Sequence, residues 1–329
     1  MSAPELVTAH RAGFVALMGP PNVGKSTLVN RICGEKVSIV SPKPQTTRER
    51  ILGIVHTPDF EMAFIDTPGL HAAKKRLNHL MMRAAESAVG DADVVVFIVE
   101  ADPKDFDVPP RVRASLKALQ GCQAPVILVV NKIDKVRKSK LLPFITALAK
   151  LRHFDSVIPL SAKEGDGIDL LIEECAKRLP EGPSHYPDDQ VTDVSERKAA
   201  SELVREQIFL QLTDELPYAS AVDIEEFKEK DGDHPSVEIH ASIVVERDSQ
   251  KAIVIGKGGA RLKEIGTLAR AQISELLGVP VQLFLHVKSV SDWSNNQKQL
   301  RELGYEFRTD EPLRDGPQLM AAPAKGEKS

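Results

Sequence analysis

A glycine-rich stretch near the start of the chain has the residue types and spacing of a phosphate-binding loop. Glycines at both ends would let successive backbone N–H groups surround phosphate oxygens, and a following helix would add the positive end of its dipole. Lys25 is then expected to reach the β- and γ-phosphates, and the Ser26 hydroxyl to bind Mg²⁺. The spacing, between a predicted strand and a predicted helix, favours a nucleotide site over a plain turn. With the threonine that follows, the stretch is Gly19, Pro20, Pro21, Asn22, Val23, Gly24, Lys25, Ser26 and Thr27.

Two further motifs have the chemistry to select guanine. A carboxylate such as Asp134 can accept hydrogen bonds from N1–H and the exocyclic amino group of guanine, whereas adenine lacks both donors. Asn131 can tie the neighbouring loops together, and the stem of Lys132 can pack over the base. Backbone N–H groups of the second motif can bond guanine O6. The motifs, each after an apolar run, are Asn131-Lys132-Ile133-Asp134 and Ser161-Ala162-Lys163.

Asp66 and Gly69 are suited to the metal and the γ-phosphate. Asp66 ends an apolar run and can hold Mg²⁺ through water, while the Gly69 N–H can reach the γ-phosphate. Loss of the γ-phosphate removes these contacts, so segments 36–48 and 66–75 are predicted to change between nucleotide states. The motif, with the residue after it, is Asp66-Thr67-Pro68-Gly69-Leu70.

The polar segment before this motif offers a second hydroxyl for the metal. Both Thr46 and Thr47 are candidates; Thr47 is preferred, but the sequence leaves the choice open, and the segment is also compatible with a plain polar loop. The expected metal ligands are therefore Ser26, Thr47 and Asp66. The residues expected to act in catalysis are Lys25, Thr47, Asp66 and Gly69.

The elements that must position these residues follow an alternating pattern up to about residue 180. Unbroken Val and Ile runs are typical of strands buried on both faces, and alternation with amphipathic stretches indicates an α/β fold with a mostly parallel, helix-covered sheet. Strands are predicted at 14–18, 48–55, 62–65, 94–99, 126–130 and 157–160, with helices near 25–33, 76–89, 110–120, 138–151 and 168–179.

After about residue 180 the composition and the pattern of predicted elements change. A stretch rich in Pro and Gly predicts a linker over 182–195, and Asp193 with Glu196 predicts a capping box at the next helix. A second, α+β unit is predicted over 196–305, with its core at about 212–290. Its elements are a helix to about 212, strands at 219–227 and 237–246, a glycine turn, a helix at 262–276, a strand at 281–287 and a short helix near 295–303. Residues 306–329 are expected to form a disordered tail.

The glycine turn of the second unit is compatible with an RNA site. A glycine turn at a helix N-terminus lets a sugar-phosphate chain pass close to the backbone, although such a turn alone also occurs without a ligand. Residues 251–288 carry a net charge of +4 in a chain whose net charge is −4. The bases are expected to lie in a groove lined by Ile253, Ile255, Ile265 and neighbouring residues. The predicted RNA-binding residues are Ile255, Gly256, Lys257, Gly258, Gly259, Arg261 and Lys263.

Taken in order, these motifs resemble a known group. The phosphate loop, Thr-Thr-Arg, Asp-Thr-Pro-Gly, Asn-Lys-x-Asp and Ser-Ala-Lys are similar to those of the translation-factor class of GTPases. Gly-x-Pro-Asn-Val-Gly-Lys-Ser and Gln-Thr-Thr-Arg, joined to a type-II KH-like half, resemble the bacterial Era family over about 13–305.

The resemblance implies an Era-type GTP-binding domain at 11–181 and a type-II KH RNA-binding domain at 196–305. It implies a GTPase that uses GTP/GDP and Mg²⁺, binds 16S ribosomal RNA near its 3′ end and acts as a switch in rRNA processing and assembly of the small (30S) subunit. It further implies a cytoplasmic monomer, with peripheral association at the inner membrane as a family trait.

Two residues qualify this expectation. Leu70 stands where Ras-type GTPases carry the glutamine that orients water, so slow unaided hydrolysis is predicted. In relatives with the same phosphate-loop asparagine, that residue can help to bind K⁺, which makes Asn22 a candidate K⁺ ligand; a turn-stabilising role is the equal alternative.

Composition and alternative functions narrow the interpretation. The mildly acidic balance excludes a wholly basic nucleic-acid coat, and no apolar run is long enough for a bilayer crossing. Three scattered cysteines predict reduced thiols rather than a disulfide framework or a zinc site. The rival functions are a P-loop phosphotransferase, which would not need Asn131 and Asp134, and an RNA-binding factor whose nucleotide only stiffens the fold.

Overall fold

The protein folds into two sheets, each packed against helices. A computed structural model describes residues 10–70, 75–101, 108–232 and 234–305. The first part has strands β1 (Arg11–Met18), β2 (Ile51–His56), β3 (Phe60–Asp66), β4 (Val94–Glu100), β5 (Val126–Asn131) and β6 (Ser156–Pro159). Its helices are α1 (Lys25–Cys33), α2 (Arg76–Asp91), α3 (Pro110–Lys117), α4 (Lys138–Ala149) and α5 (Ile168–Ala176).

The six strands form one sheet in the order β2-β3-β1-β4-β5-β6. Every neighbouring pair is parallel except β2 and β3, which are antiparallel. Side chains of α2, α3 and α4 pack on one face and those of α1 and α5 on the other. Residues 94–99 of β4 are fully buried, as expected for a strand covered on both faces. The predicted mostly parallel α/β sheet is confirmed.

The second part is a smaller α+β unit. It contains α6 (Glu196–Gln211), β7 (Ala221–Lys230), β8 (Ser236–Val245), α7 (Asp248–Ile255), α8 (Ala260–Leu277), β9 (Val281–Ser289) and α9 (Gln297–Glu302). The strand order is β7-β8-β9, with β7 antiparallel and β9 parallel to β8. Helices α6 and α8 share one apolar core with this sheet.

Two local predictions in this unit were wrong or incomplete. The cap of α6 is Ser195, whose Oγ accepts a hydrogen bond from the Lys198 N–H at 3.3 Å. Asp193 instead accepts a hydrogen bond from the Leu52 N–H at 3.1 Å, so the predicted capping box is absent. Helix α7 was missed because its sequence ends in Ala-Ile-Val-Ile, a short apolar run that does not distinguish helix from strand.

The segment between the two parts is held along the edge strand β2. The N–H of Ile54 donates to the Val191 carbonyl at 2.8 Å. The fully buried carboxylate of Glu61 accepts backbone N–H bonds from His185 and Tyr186 at 2.9 and 3.0 Å. The proline-rich stretch therefore acts as a strap that covers the outer edge of the sheet.

Other sequence expectations concern cysteines, membranes and the tail. Cys33, Cys122 and Cys175 are unpaired thiols, and burial raises the pKa of Cys33 and Cys175 to about 12. None of the helices in the described ranges combines the length and apolar character needed to cross a bilayer. The predicted tail, 306–329, lies outside the described residues, as do 71–74 of the second predicted switch segment.

Candidate nucleotide and RNA sites

The candidate phosphate loop connects β1 to α1 and depends on its two glycines. Gly19 and Gly24 have φ values of 146° and 97°. A Cβ on Gly19 would lie 2.2 Å from the Ile98 carbonyl oxygen, and one on Gly24 would lie 2.5 Å from Nδ2 of Asn131. Both positions therefore exclude a side chain, and the loop keeps the close approach to its neighbours that a phosphate cradle requires.

Lys25 lies across this loop. Its ammonium group donates to the carbonyls of Gly19 and Pro20 at 3.3 and 3.1 Å, and its side chain is buried. Burial lowers the pKa of Lys25 to about 8, an effect that the carboxylate of Asp66 partly opposes. Within the described part of the chain, this buried ammonium group has two carbonyls and one nearby carboxylate as its partners. Further negative charge beside it, such as phosphate oxygens would supply, is therefore electrostatically favoured.

Four side chains converge beside the loop in a cluster suited to a hard divalent cation. Oδ2 of the fully buried Asp66 accepts hydrogen bonds from the hydroxyls of Ser26, Ser38 and Thr47 at 2.6, 2.9 and 3.2 Å. The Ser26 and Thr47 hydroxyls lie 2.9 Å apart. The other carboxylate oxygen, Oδ1, is buried with no hydrogen-bond partner among the described residues. These oxygen donors fit Mg²⁺, which binds carboxylates and hydroxyls and keeps several waters.

The cluster bears on the choice between the two threonines and adds a residue that sequence reasoning missed. Thr46 is turned away from it, since its hydroxyl bonds the Ser41 hydroxyl at 2.7 Å and the Lys43 carbonyl at 2.9 Å. Ser38 had no recognisable motif around it; its only signal was its place inside the predicted segment 36–48. Burial raises the pKa of Asp66 while the three hydroxyls oppose that rise.

The Asp66 motif continues into a tightly packed turn. The Thr67 hydroxyl donates to the Leu17 carbonyl at 2.6 Å, and a Cβ on Gly69 would lie 2.7 Å from Cα of Pro21. Leu70 is buried in the sheet's apolar core, and its N–H donates to the Gly19 carbonyl at 3.4 Å. Leu70 thus contributes packing and offers no polar group to a water molecule. Pro68 completes this turn beside the phosphate loop.

The two base-side motifs meet at the carboxyl ends of β5 and β6. Asn131 donates from Nδ2 to the Val23 carbonyl at 2.7 Å, and its Oδ1 accepts from the Ala162 N–H at 3.0 Å. Asp134 is exposed and accepts a hydrogen bond from the Ser161 hydroxyl at 2.7 Å. The buried amide of Asn131 therefore ties the phosphate loop to the second motif, as the sequence predicted, while the Asp134 carboxylate lies at the surface.

Lys132 and Asn22 connect the same loops from the solvent side. Lys132 has a φ of 66°, and its ammonium group donates to the Asn22 carbonyl at 2.6 Å and pairs with Glu100 at 3.1 Å. Asn22, with a φ of 62°, donates from Nδ2 to the Pro42 carbonyl at 2.9 Å. Ile133 begins a single 3₁₀ turn, and Lys163 is exposed beside it.

In the second unit, the glycine turn joins α7 to α8. Gly256, Gly258 and Gly259 all have positive φ values, of 73°, 60° and 79°. A Cβ on Gly258 or Gly259 would meet nothing within 4 Å, so the outer side of the turn is open to a ligand. Lys257, within the turn, is exposed, whereas the guanidinium of Arg261 donates back to the Ile253 carbonyl at 2.8 Å.

A groove of about 330 Å³ runs between α8 and β9 next to this turn. Of the expected lining residues, Ile265 is fully buried in the core, whereas Ile253 and Ile255 lie on α7 outside this groove. Lys263, one of the predicted RNA-binding residues, lies in the groove. Arg270 was not among those residues, although it follows Lys263 at i+7 and so lies two turns further along the same face of α8. The lining residues are Gly259, Leu262, Lys263, Gly266, Thr267, Arg270, Leu283 and Leu285.

The sheet, the phosphate loop and the base-side motifs together define a P-loop GTPase domain joined to a KH domain. Residues 14–132 match the family model described as 50S ribosome-binding GTPase, and residues 215–294 match the model described as KH domain. Over 295 residues the chain is 49% identical to GTPase Era of Geobacter metallireducens, covering 90% of this chain and 98% of that protein. GTPase Era of Lacticaseibacillus paracasei is 44% identical over 302 residues, covering 92% and 99%. The chain belongs to the Era family of GTPases.

Solved structures agree with this assignment. A crystal structure of Era in complex with MgGDPNP and nucleotides 1506–1542 of 16S ribosomal RNA matches with a TM-score of 0.85 and 39% identity, covering 91% of this chain and all of that one. A variant of Aquifex aeolicus Era bound to GDP and AlF₄⁻ matches with a TM-score of 0.84 and 39% identity, covering 90% of this chain and all of that one. The fold of both parts is thus that of Era.

Proposed function

We propose that this GTPase binds the 3′ end of 16S ribosomal RNA in its KH domain and acts as a nucleotide-controlled switch in assembly of the small ribosomal subunit. The observation that carries the proposal is the presence, in one chain, of the hydroxyl–carboxylate cluster at the phosphate loop and a basic groove beside an open glycine turn. The related Era that was crystallised with MgGDPNP and 16S nucleotides supports it.

The experiment is a binding titration with an RNA oligonucleotide of the 16S 3′ end. The purified protein is loaded with a non-hydrolysable GTP analogue or with GDP, and the RNA affinity is compared. The switch predicts tighter binding in one nucleotide state, whereas equal affinities contradict it. Crosslinking to total cellular RNA in each state, followed by sequencing, tests the identity of the target. A Lys25→Ala variant that folds and keeps full function would favour an RNA-binding factor without a switch.

We propose that Lys25, Thr47, Asp66 and Gly69 carry the GTPase chemistry. Mg²⁺, when bound with Ser26, Thr47 and Asp66, would neutralise charge developing on the transferred phosphoryl group. Lys25 donates hydrogen bonds to the same phosphates, and the Gly69 N–H orients the γ-phosphate. The Asp134 carboxylate accepts hydrogen bonds from guanine. The other predicted nucleotide-binding residues form the loops that surround the nucleotide.

We also propose that K⁺ assists hydrolysis at Asn22. Because Nδ2 of Asn22 is used by the Pro42 carbonyl, the amide oxygen is the atom available to a cation. Turnover should then be faster in K⁺ than in Na⁺ at equal ionic strength, and the difference should disappear in Asn22→Ala. Equal rates in the two salts would contradict this role.

The remaining family expectations also stand as proposals: a GTP-binding domain at 11–181, a KH domain at 196–305, a cytoplasmic monomer and peripheral association with the inner membrane. They rest on the family resemblance. Light scattering of the purified chain tests the monomer, and fractionation of cells with and without high salt tests membrane association.

A further inference from the structure

The segment 36–48, which carries Thr47, is held by two neighbouring side chains of α6 in the second domain. The Glu206 carboxylate accepts hydrogen bonds from the Val40 N–H at 2.9 Å and from the Lys36 ammonium at 2.5 Å. The guanidinium of Arg205 donates to the Thr46 carbonyl at 2.5 Å. Two consecutive residues of one helix thus hold the segment at both ends of a seven-residue stretch.

Both side chains are themselves fixed. Arg205 and Glu206 are 1% and 3% exposed. Nε of Arg205 donates to the Glu202 carboxylate at 2.9 Å, one turn earlier on α6, and Glu206 accepts from Nε2 of Gln272 on α8 at 3.0 Å. A buried charged group held by such partners has few alternative rotamers, so it transmits the position of α6 to the segment.

The backbone on both sides of the metal-facing threonine is held by the second domain. The Thr46 carbonyl belongs to the peptide group that precedes Thr47, so the hydrogen bond from Arg205 fixes the orientation of that peptide. On the other side, Arg48 is anchored to backbone carbonyls of the second domain, at 2.8 Å for Ser220 and 3.0 Å for Pro217. With both flanks fixed, the Thr47 hydroxyl is directed at Ser26 and Asp66.

We propose that Arg205 and Glu206 are positioning residues of the nucleotide site, which hold Thr47 toward the metal and thereby favour GTP over GDP. The inference rests on the proposed role of Thr47. A switch-segment hydroxyl is needed when the metal also holds the γ-phosphate, and GDP lacks that phosphate. A contact that pre-forms this arrangement therefore raises GTP affinity and leaves GDP affinity nearly unchanged.

By linkage, the coupling also acts in the opposite direction. If docking of α6 on the segment favours GTP, then GTP must favour docking by the same factor. The docking of the KH domain would thus depend on whether GTP or GDP is bound, through the backbone of residues 40–46 and without direct contact between the KH domain and the nucleotide.

The test is the ratio of GTP-analogue affinity to GDP affinity, measured with Mg²⁺ on the full chain. Glu206→Ala and Arg205→Ala should each lower this ratio by about tenfold, the scale expected for one hydrogen bond to a charged group. Glu206→Gln, which keeps an oxygen for the Val40 N–H, should restore most of it. Glu196→Ala, on the exposed first turn of the same helix, is the matched control and should leave the ratio unchanged.

A double-mutant cycle separates positioning from general loss of stability. If Glu206 acts through Thr47, then Thr47→Ala with Glu206→Ala should lower the ratio no further than Thr47→Ala alone. An unchanged ratio in Glu206→Ala, or losses that add in the double variant, would overturn the inference. If Glu206→Ala does not fold, as judged by GDP binding, Arg205→Lys takes its place, since lysine keeps the charge opposite Glu202 but lacks the guanidinium fork. A wild-type chain that binds neither nucleotide would refute the proposed function instead.

Discussion

Replacing Arg48 should weaken the docking of the two domains on each other more than replacing any exposed residue at their interface. Arg48 is buried, and its guanidinium donates to the carbonyls of Pro217, Tyr218 and Ser220 and to the Tyr305 hydroxyl, at 2.8 to 3.3 Å. Hydrogen bonds to a charged group contribute ~1.5–3 kcal/mol each, but water would reach part of the space vacated in Arg48→Ala. The carbonyls of Ser220 and Pro217 are buried, and leaving each without its donor costs ~1–3 kcal/mol, so we expect a total loss of ~3–5 kcal/mol.

The assay is urea unfolding followed by two probes. Trp293 is the single tryptophan, it is fully buried, and its ring lies 5.9 Å from the Arg48 guanidinium carbon, so its fluorescence reports on the second domain and the interface. Release of a fluorescent GDP reports on the first domain. In Arg48→Ala the tryptophan transition should move to lower urea and separate from nucleotide release.

The matched control is Arg50→Ala. Arg50 pairs with Asp91 at 3.2 Å, and both side chains are more than a fifth exposed, so its loss should cost less than ~1 kcal/mol. If Arg48→Ala shifts the tryptophan transition no more than this control does, the buried guanidinium does not hold the domains together, and the reasoning fails.

Three shorter predictions concern the ligands. Asp134→Asn should weaken guanosine nucleotides by ~1.5–3 kcal/mol and shift preference toward xanthosine nucleotides, measured by competition; unchanged preference would show that the base lies elsewhere. Burial lowers the pKa of Lys25 to about 8, and bound phosphate should raise this pKa again. GDP affinity should therefore be highest below pH 8 and fall as the pH rises through 8. Calorimetry in two buffers should show that GDP binding takes up a proton above about pH 8, and no proton uptake would refute the link between Lys25 protonation and GDP binding. Lys257→Ala should weaken RNA binding and reduce the salt slope by about one, unlike Lys228→Ala on β7; equal effects of the two would remove the turn from the RNA site.

Much of the fold was predictable because its signals are local and repeated. The unbroken runs in β4 and β5 identify strands buried on both faces, and the motifs fall at strand ends, where parallel strands bring them to one edge. The order of elements in the second domain was also confirmed, except for α7. Its eight residues end in an apolar run too short for a helical period to show.

The contacts between distant segments could not be predicted in the same way. Arg205 and Glu206 look like ordinary helix residues in the sequence, because charged residues at adjacent positions usually face solvent. Their function depends on which residues face them across the interface, Val40 and Thr46, more than 150 positions earlier. Likewise, Ile265 has the apolar character of a groove residue but lies on the core face of α8, which hydrophobicity alone does not reveal.

The strap along β2 has a consequence for how the chain can be divided. Cutting after residue 181 would leave the Glu61 carboxylate without the amide donors of His185 and Tyr186 and would uncover the edge of β2. A separately expressed first domain should therefore extend to residue 193, because the Asp193 carboxylate then still accepts the hydrogen bond from the Leu52 N–H. Any rotation of one half relative to the other is then confined to residues 194 and 195, directly before α6. These two residues form a short hinge, and the rest of the connecting segment is not a flexible linker.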